Sequence, residues 1–272
     1  MNSLMSALAL SALSPRISAT QQLPSSQNFH HSSKCSLQTS SSLISVPHSH
    51  TNSSLDALSA IQESGIIACL RADSAELAFQ AACAALDGGV TALEIVMSNP
   101  GVFEVLEKLI EFYPTRTFGV GTVLNPVDAN TAIKFGAKFL MSPAMVKGIL
   151  DYASCCEVLY IPGAMTPTEI LSAFDAGAKL IKVYPVSSIG GVQYIGALRK
   201  PFPHIPLVAS QGITLDSVFE YIAQGSAAVV LSDAIFDKKA MAERNFEAIY
   251  QFSRSAVLFA NRALKRKQRN MR

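Results

Sequence analysis

Two ionisable residues stand inside apolar runs of the sequence. Lys182 lies in LIKVYP, residues 180–185, and Glu94 lies in ALEIVM, residues 92–97. Runs rich in β-branched and aromatic residues are typical of parallel strands that are covered on both faces. Burial disfavours the ammonium form, so it lowers the pKa of a lysine and makes the amine a nucleophile near neutral pH. The pair therefore predicts either a buried ion pair or a Schiff-base lysine with a carboxylate that moves protons for it.

The composition disfavours several other kinds of chemistry. Four of the five histidines precede residue 51 and the fifth is His204, which disfavours a histidine metal site or a catalytic triad. The five cysteines have neither zinc-ligand spacing nor a disulfide pattern. We therefore expect no metal and no cofactor. A small-molecule substrate is expected instead, with no nucleic-acid partner and no membrane span, since no apolar stretch approaches the length of a spanning helix.

The first 55 residues differ from the rest of the chain. They are dense in Ser and Thr, contain Arg16 and Lys34 as their cations, and precede the first acidic residue, Asp56. This composition predicts a disordered, cleaved transit peptide over residues 1–55. Chloroplast import is favoured and mitochondrial import is the second choice, because a mitochondrial presequence is richer in Arg. The predicted folded domain then spans residues 56–262, and residues 263–272 form a basic, solvated C-terminal tail.

From Gly65 onward, short apolar runs recur about every 20 to 26 residues and alternate with helix-like segments. Helix starts are indicated at Ser74, Asn125, Thr166 and Thr214, and glycines mark several helix ends. The eight strand candidates are 66–70, 92–97, 118–123, 139–142, 158–162, 180–184, 207–210 and 227–231. Eight βα units in one domain predict an α/β fold, a single (β/α)8 TIM barrel. A doubly wound sheet would usually have fewer strands and a glycine fingerprint after the first.

Barrel enzymes place their active sites at the carboxyl ends of the strands. Polar or glycine-rich positions at those ends thus become neighbours in space. In chain order they are Arg71, Glu94, Thr122, Ser142-Pro143, Pro162-Gly163, Lys182 to Tyr184, Ser210 and Ser232-Asp233.

These residues carry a family resemblance that extends from about Ser59 to Phe236. The chain resembles the class I aldolases that cleave 2-keto-3-deoxy-6-phosphogluconate (KDPG) and 4-hydroxy-2-oxoglutarate (KHG), in a plant, organelle-targeted form. The order and spacing of the matching stretches make the resemblance specific. These stretches are ACLRADS at 68–74, LEI at 93–95, GVGTVLNP at 119–126, SP at 142–143, IPGAMTPTE at 161–169, IKVYP at 181–185 and GG at 190–191.

The resemblance implies a role for each matching residue. Lys182 would form the imine with the keto group, and Glu94 would be the general acid and base. Arg71 and Thr122 would hold the carboxylate of the keto acid. Pro143 would shape the pocket and Tyr184 would pack against the imine. The resemblance also implies a homotrimer and a lyase that releases pyruvate and an aldehyde.

The match departs from the family where phosphorylated substrates bind. Relatives that bind phosphate usually have Thr-Gly-Gly after strand seven and Gly-Ser after strand eight, whereas this chain has Ser210-Gln211-Gly212 and Ser232-Asp233. Ser210, Gly212 and Ser232 remain the expected substrate contacts. Asp233 adds a negative charge where a dianion would bind. A non-phosphorylated 2-keto-hydroxy acid is therefore an alternative substrate. Three other hypotheses remain: a non-catalytic binding barrel, a phosphate-handling isomerase and a metal-dependent aldolase.

Overall fold

The computed structural model describes residues 53–270. Its strands are all parallel and belong to one sheet with the order β5-β4-β3-β2-β1-β9-β8-β7-β6. The strands are β1 Ile66–Leu70, β2 Ala92–Val96, β3 Thr117–Gly121, β4 Phe139–Met141, β5 Leu159–Ile161, β6 Gly163–Ala164, β7 Ile181–Val183, β8 Leu207–Ser210 and β9 Ala228–Leu231. The predicted (β/α)8 barrel is confirmed, with all eight predicted strand positions occupied.

The ninth strand, β6, lies just beyond Pro162, the last residue of the predicted fifth strand. Proline has no N–H group for the ladder, so β5 ends before it and β6 begins after it. β5 pairs with β4 and β6 pairs with β7. The N–H group of Lys182 donates to the Pro162 carbonyl at 2.8 Å. β5 and β6 are the two ends of the sheet, and they are consecutive in the chain. The segment around Pro162 therefore nearly closes the barrel.

The helices surround the strands and begin with the predicted capping residues in three cases. Ser74, Asn125 and Thr166 accept hydrogen bonds from the first turns of α2, α4 and α6. Thr214 instead precedes a short 3-10 turn, Leu215–Ser217. The helices are α1 Ser53–Ser64, α2 Ala75–Asp87, α3 Val102–Phe112, α4 Pro126–Lys134, α5 Lys147–Cys155, α6 Pro167–Asp175, α7 Gly191–Arg199, α8 Val218–Ala223, α9 Lys238–Ala242 and α10 Phe246–Asn270.

Helix α1 covers the amino-terminal end of the barrel. Its Ala57 and Ile61 are buried in the cluster that fills the barrel interior, together with residues at the starts of several strands, such as Ala92, Leu180 and Ala228. Gly119 is required inside this cluster, since a Cβ atom there would collide with the ring of Phe139. The opposite end of the barrel, where the strands finish, is thereby left for a cavity.

The ends of the domain differ from the predicted boundaries. Helix α1 begins at Ser53, three residues inside the predicted transit segment, and residues 1–52 of that segment lie outside the described residues. At the other end α10 continues to Asn270 without a break at residue 262, and Ala263 is buried. The basic residues up to Asn270 therefore belong to the last turns of α10 and do not form a separate tail. Within residues 53–270 no helix is long and apolar enough to cross a membrane.

The role of α1 predicts unequal effects for two truncations on the same helix. Ile61 is fully buried and Leu55 is 48% exposed. We expect Ile61→Ala to lower the free energy of unfolding by about 2 to 5 kcal/mol, because it leaves a cavity beneath the barrel. Leu55→Ala should cost less than about 1 kcal/mol. Urea unfolding followed by circular dichroism measures both, and equal losses would contradict the placement of α1.

Candidate active site

A cavity of about 830 Å³ opens at the carboxyl ends of the strands. All nine residues that were expected to carry out the chemistry or to bind the substrate line it: Arg71, Glu94, Thr122, Pro143, Lys182, Tyr184, Ser210, Gly212 and Ser232. The structure therefore brings the whole predicted set together, although it does not test the role of each residue. Sequence reasoning assigned no role in the site to several other lining residues: Cys69, Ile213, Thr214, Leu215, Val230, Ala234, Asp237 and Phe252.

Lys182 is at the centre of β7, between Gly163 of β6 and Val208 of β8. Its side chain is 6% exposed, and its Nζ lies 5.4 Å from the centroid of the Tyr184 ring. Burial lowers the pKa of Lys182, while the charges of Glu94 and Cys69 oppose that shift and Arg71 adds to it. The predicted buried lysine is thus confirmed, and its environment favours the neutral amine.

Glu94 occupies β2 between Cys69 of β1 and Gly119 of β3, and it is 3% exposed. Its carboxylate fits because residue 121 is glycine: a Cβ atom on Gly121 would collide with Glu94 Oε1. The ion pairs within 4.0 Å among residues 53–270 all join exposed side chains. Lys182 and Glu94 therefore share the cavity without a contact ion pair, so the structure does not support the purely structural alternative.

Cys69 is a third ionisable group on the floor of the cavity. It is 4% exposed, and burial raises the pKa of its thiol well above the usual value, with the charge of Glu94 acting in the same direction. The group is therefore a neutral thiol at physiological pH. Sequence analysis gave Cys69 no role in the site. The alternation of β1, in which Ile67 and Cys69 share a face, is the signal that could have placed it inside the barrel.

The position of Arg71 depends on a residue that sequence reasoning missed. Asn99 is 5% exposed, and its amide donates to the Leu70 carbonyl and accepts from the Ala72 N–H group, both at 3.3 Å. It thus holds the backbone on both sides of Arg71. The Arg71 guanidinium reaches across to β9 and donates to Ser232 Oγ at 3.4 Å.

Buried polar contacts fix the loop that carries Pro143. The Tyr160 hydroxyl donates to Ser142 Oγ at 2.9 Å and accepts from the Val146 N–H group at 3.1 Å. Gly163 lets this loop approach the barrel wall, since a Cβ atom there would collide with the Pro143 carbonyl. The pocket wall formed by Pro143 is therefore held rigidly.

The cavity edge formed by β8 and β9 is polar and partly acidic. Ser210 is buried, whereas Gln211 adopts a left-handed backbone with φ of 85° and its side chain hydrogen-bonds to Ser187 Oγ. Asp233 lies 4.0 Å from Lys238, and Asp237 caps α9. Within the described part of the chain, no group of three or more His, Cys, Asp and Glu side chains is arranged to hold a metal ion.

Comparison with known proteins gives a consistent result. A family model described as KDPG and KHG aldolase matches residues 58–252. The 2-dehydro-3-deoxy-phosphogluconate aldolase of Pseudomonas aeruginosa is 29% identical over 170 residues, which cover 62% of this chain and 77% of that protein. The KHG/KDPG aldolase of Escherichia coli K12 is 28% identical over 182 residues, covering 67% of this chain and 85% of that protein.

One solved structure is similar to this chain in both fold and sequence. It is KDPG aldolase from Legionella pneumophila with pyruvate captured at low pH as a covalent carbinolamine intermediate. The two superpose with a TM-score of 0.69 at 25% identity, covering 74% of this chain and 97% of the other.

The electrostatics of the cavity predict how Lys182 titrates. Because burial lowers its pKa, the midpoint should lie below about 10.4, the value of an exposed lysine. Ionised Glu94 raises the pKa of Lys182, so Glu94→Gln should move the midpoint lower still. Nuclear magnetic resonance of lysine Nζ in the labelled protein measures both values. A wild-type midpoint at the ordinary value, or an upward shift in Glu94→Gln, would contradict this account.

Proposed function

The chain belongs to the KDPG and KHG aldolase family and is an aldolase, a carbon–carbon lyase; we propose that it acts through a Schiff base on Lys182. The substrate is a 4-hydroxy-2-keto acid of the class that includes KDPG and KHG, and the products are pyruvate and an aldehyde. One observation carries the proposal: a buried lysine amine without a contact ion pair faces the cavity that Glu94 also lines.

The first half of the reaction makes the imine. The neutral Lys182 amine adds to C2 of the keto acid, and the carbinolamine then loses water to give a protonated imine. Glu94, which has taken up the proton released by the Lys182 ammonium, then supplies the proton that converts the departing hydroxyl to water. The lowered pKa of Lys182 favours this step because only the unprotonated amine is nucleophilic.

The second half breaks the carbon–carbon bond. The Glu94 carboxylate takes the proton of the C4 hydroxyl, the C3–C4 bond breaks, and its electron pair moves toward the iminium nitrogen to form an enamine. The aldehyde leaves, and Glu94 returns the proton to C3. Water then hydrolyses the pyruvate imine and frees Lys182, so the water lost during imine formation is taken up again.

Arg71 and Thr122 are suited to the carboxylate of the keto acid. A guanidinium can bind a carboxylate through two parallel hydrogen bonds. The two hydrogen bonds of Asn99 to the backbone on either side of Arg71 support this role, because they fix the backbone from which the guanidinium projects. Tyr184 is close enough to Lys182 to pack against a bound imine.

Borohydride trapping tests the mechanism. Pyruvate and borohydride together should leave a reduced adduct on Lys182, located by peptide mass spectrometry. Lys182→Met should abolish the adduct, whereas Lys179→Met, an exposed lysine near the start of the same strand, should retain it. Glu94→Gln should slow cleavage by a factor of about 10² to 10⁴, the usual contribution of a general acid and base. An unmodified Lys182 in the folded wild type would instead support a non-catalytic binding barrel.

The cellular setting is also a proposal. We infer import into chloroplasts of a plant from the Ser-rich, acid-poor composition of residues 1–55. A fluorescent protein fused behind residues 1–64 should enter the stroma, and a mitochondrial signal would contradict this.

The homotrimer implied by the resemblance remains a prediction. Four apolar side chains on the loops and helices after β3 and β6 are exposed, which supports self-association. They are Leu124, Val127, Met165 and Leu171. Analytical ultracentrifugation measures the number of subunits.

A further inference from the structure

The charges that line the cavity limit how many anionic groups a substrate can carry. Two cationic side chains line it, Arg71 and Lys182, against the three carboxylates of Glu94, Asp233 and Asp237. Under the proposed function, on which this inference rests, Lys182 becomes the imine. The positive charge of the protonated imine is held at C2 of the bound substrate, so the Arg71 guanidinium is the cation in the described lining that is free to pair with a substrate anion.

One guanidinium is suited to one anionic group. Every 2-keto acid already brings a carboxylate, which Arg71 can bind through two hydrogen bonds. A second anion near β9 would compete for the same group, because Arg71 already reaches Ser232 Oγ. Holding two anions with one partly exposed cation leaves one of them unpaired.

The β8–β9 edge offers a second anion little compensation. Asp233 is paired at 4.0 Å with Lys238, whose side chain is 88% exposed and does not line the cavity. Asp237 accepts hydrogen bonds from the N–H groups of Lys239 and Ala240, at 3.0 and 2.9 Å, so its carboxylate is held at the rim. A phosphate dianion placed there would lie near two carboxylates, those of Asp233 and Asp237.

The neutral groups of this edge suit hydroxyl groups instead. Gln211 has a left-handed backbone, with φ of 85°, a conformation that is unfavourable for a residue other than glycine. Its side-chain oxygen accepts a hydrogen bond from the Ser187 hydroxyl, so its amide NH₂ group can donate to a bound ligand. The side chains of Ser210, Thr214 and Ser232 add hydroxyl groups to the same edge.

We propose that the β8–β9 edge binds an uncharged, hydroxyl-bearing end of the substrate, so that the preferred substrate is a 4-hydroxy-2-keto acid with a single anionic group, its carboxylate. The aldehyde released from that end is a neutral hydroxyaldehyde. Gln211 and Asp233 set this specificity by hydrogen bonding to hydroxyls and by repelling phosphate.

The test uses the reverse reaction, in which pyruvate is constant and the aldehyde varies. Glyceraldehyde should be condensed with a kcat/KM at least about tenfold above that of glyceraldehyde 3-phosphate, the scale expected of one unfavourable charge contact at a partly exposed site. Asp233→Asn should shift the ratio of the two values toward the phosphorylated aldehyde. Asp151→Asn, which removes the same charge from the exposed face of α5, should leave the ratio unchanged.

The outcomes separate this inference from the proposed function. If pyruvate forms the Lys182 adduct but the wild type prefers glyceraldehyde 3-phosphate, the inference is overturned and the aldolase mechanism stands. If no adduct forms, the proposed function fails and the inference falls with it. If Asp233→Asn does not fold, the wild-type ratio decides.

Discussion

The burial of one amine, that of Lys182, is the constraint on which the electrostatics of the cavity depend. The Lys182 side chain points into a barrel whose lower half is filled with apolar side chains, and desolvation there favours its neutral form. The charge of Glu94 raises the pKa of Lys182, but the two side chains form no contact ion pair. A direct salt bridge would hold the ammonium charged, whereas a carboxylate farther away in the same cavity can exchange protons with a bound substrate.

Backbone space makes this arrangement possible. Gly121 leaves room for the Glu94 carboxylate, and Gly163 leaves room for the loop of Pro143. Both glycines face the interior of a barrel that is nearly closed by the segment around Pro162 and covered from below by α1. The fold therefore places apolar packing at one end and the polar residues at the other.

Much of this could be predicted from the sequence because the relevant signals are local. Eight apolar runs with helical segments between them indicate the barrel, and strand ends become neighbours once that fold is assumed. The features that were missed depend on contacts distant in the chain. The hydrogen bonds of Asn99 to the backbone on both sides of Arg71, the pairing of β6 with β7 and the hydrogen bond from Ser187 to Gln211 each require the tertiary structure. The α10 helix, too, continues past the composition change at residue 262, and Ala263 beyond it is still buried.

A crystal structure of the protein soaked with pyruvate tests the central claim most directly. The account predicts continuous density from Lys182 Nζ to C2 of pyruvate, with the pyruvate carboxylate on Arg71 and Thr122 and with Glu94 within hydrogen-bonding distance of the new bond. A fully occupied pyruvate that is bound elsewhere in the cavity, with Lys182 unmodified, would contradict it.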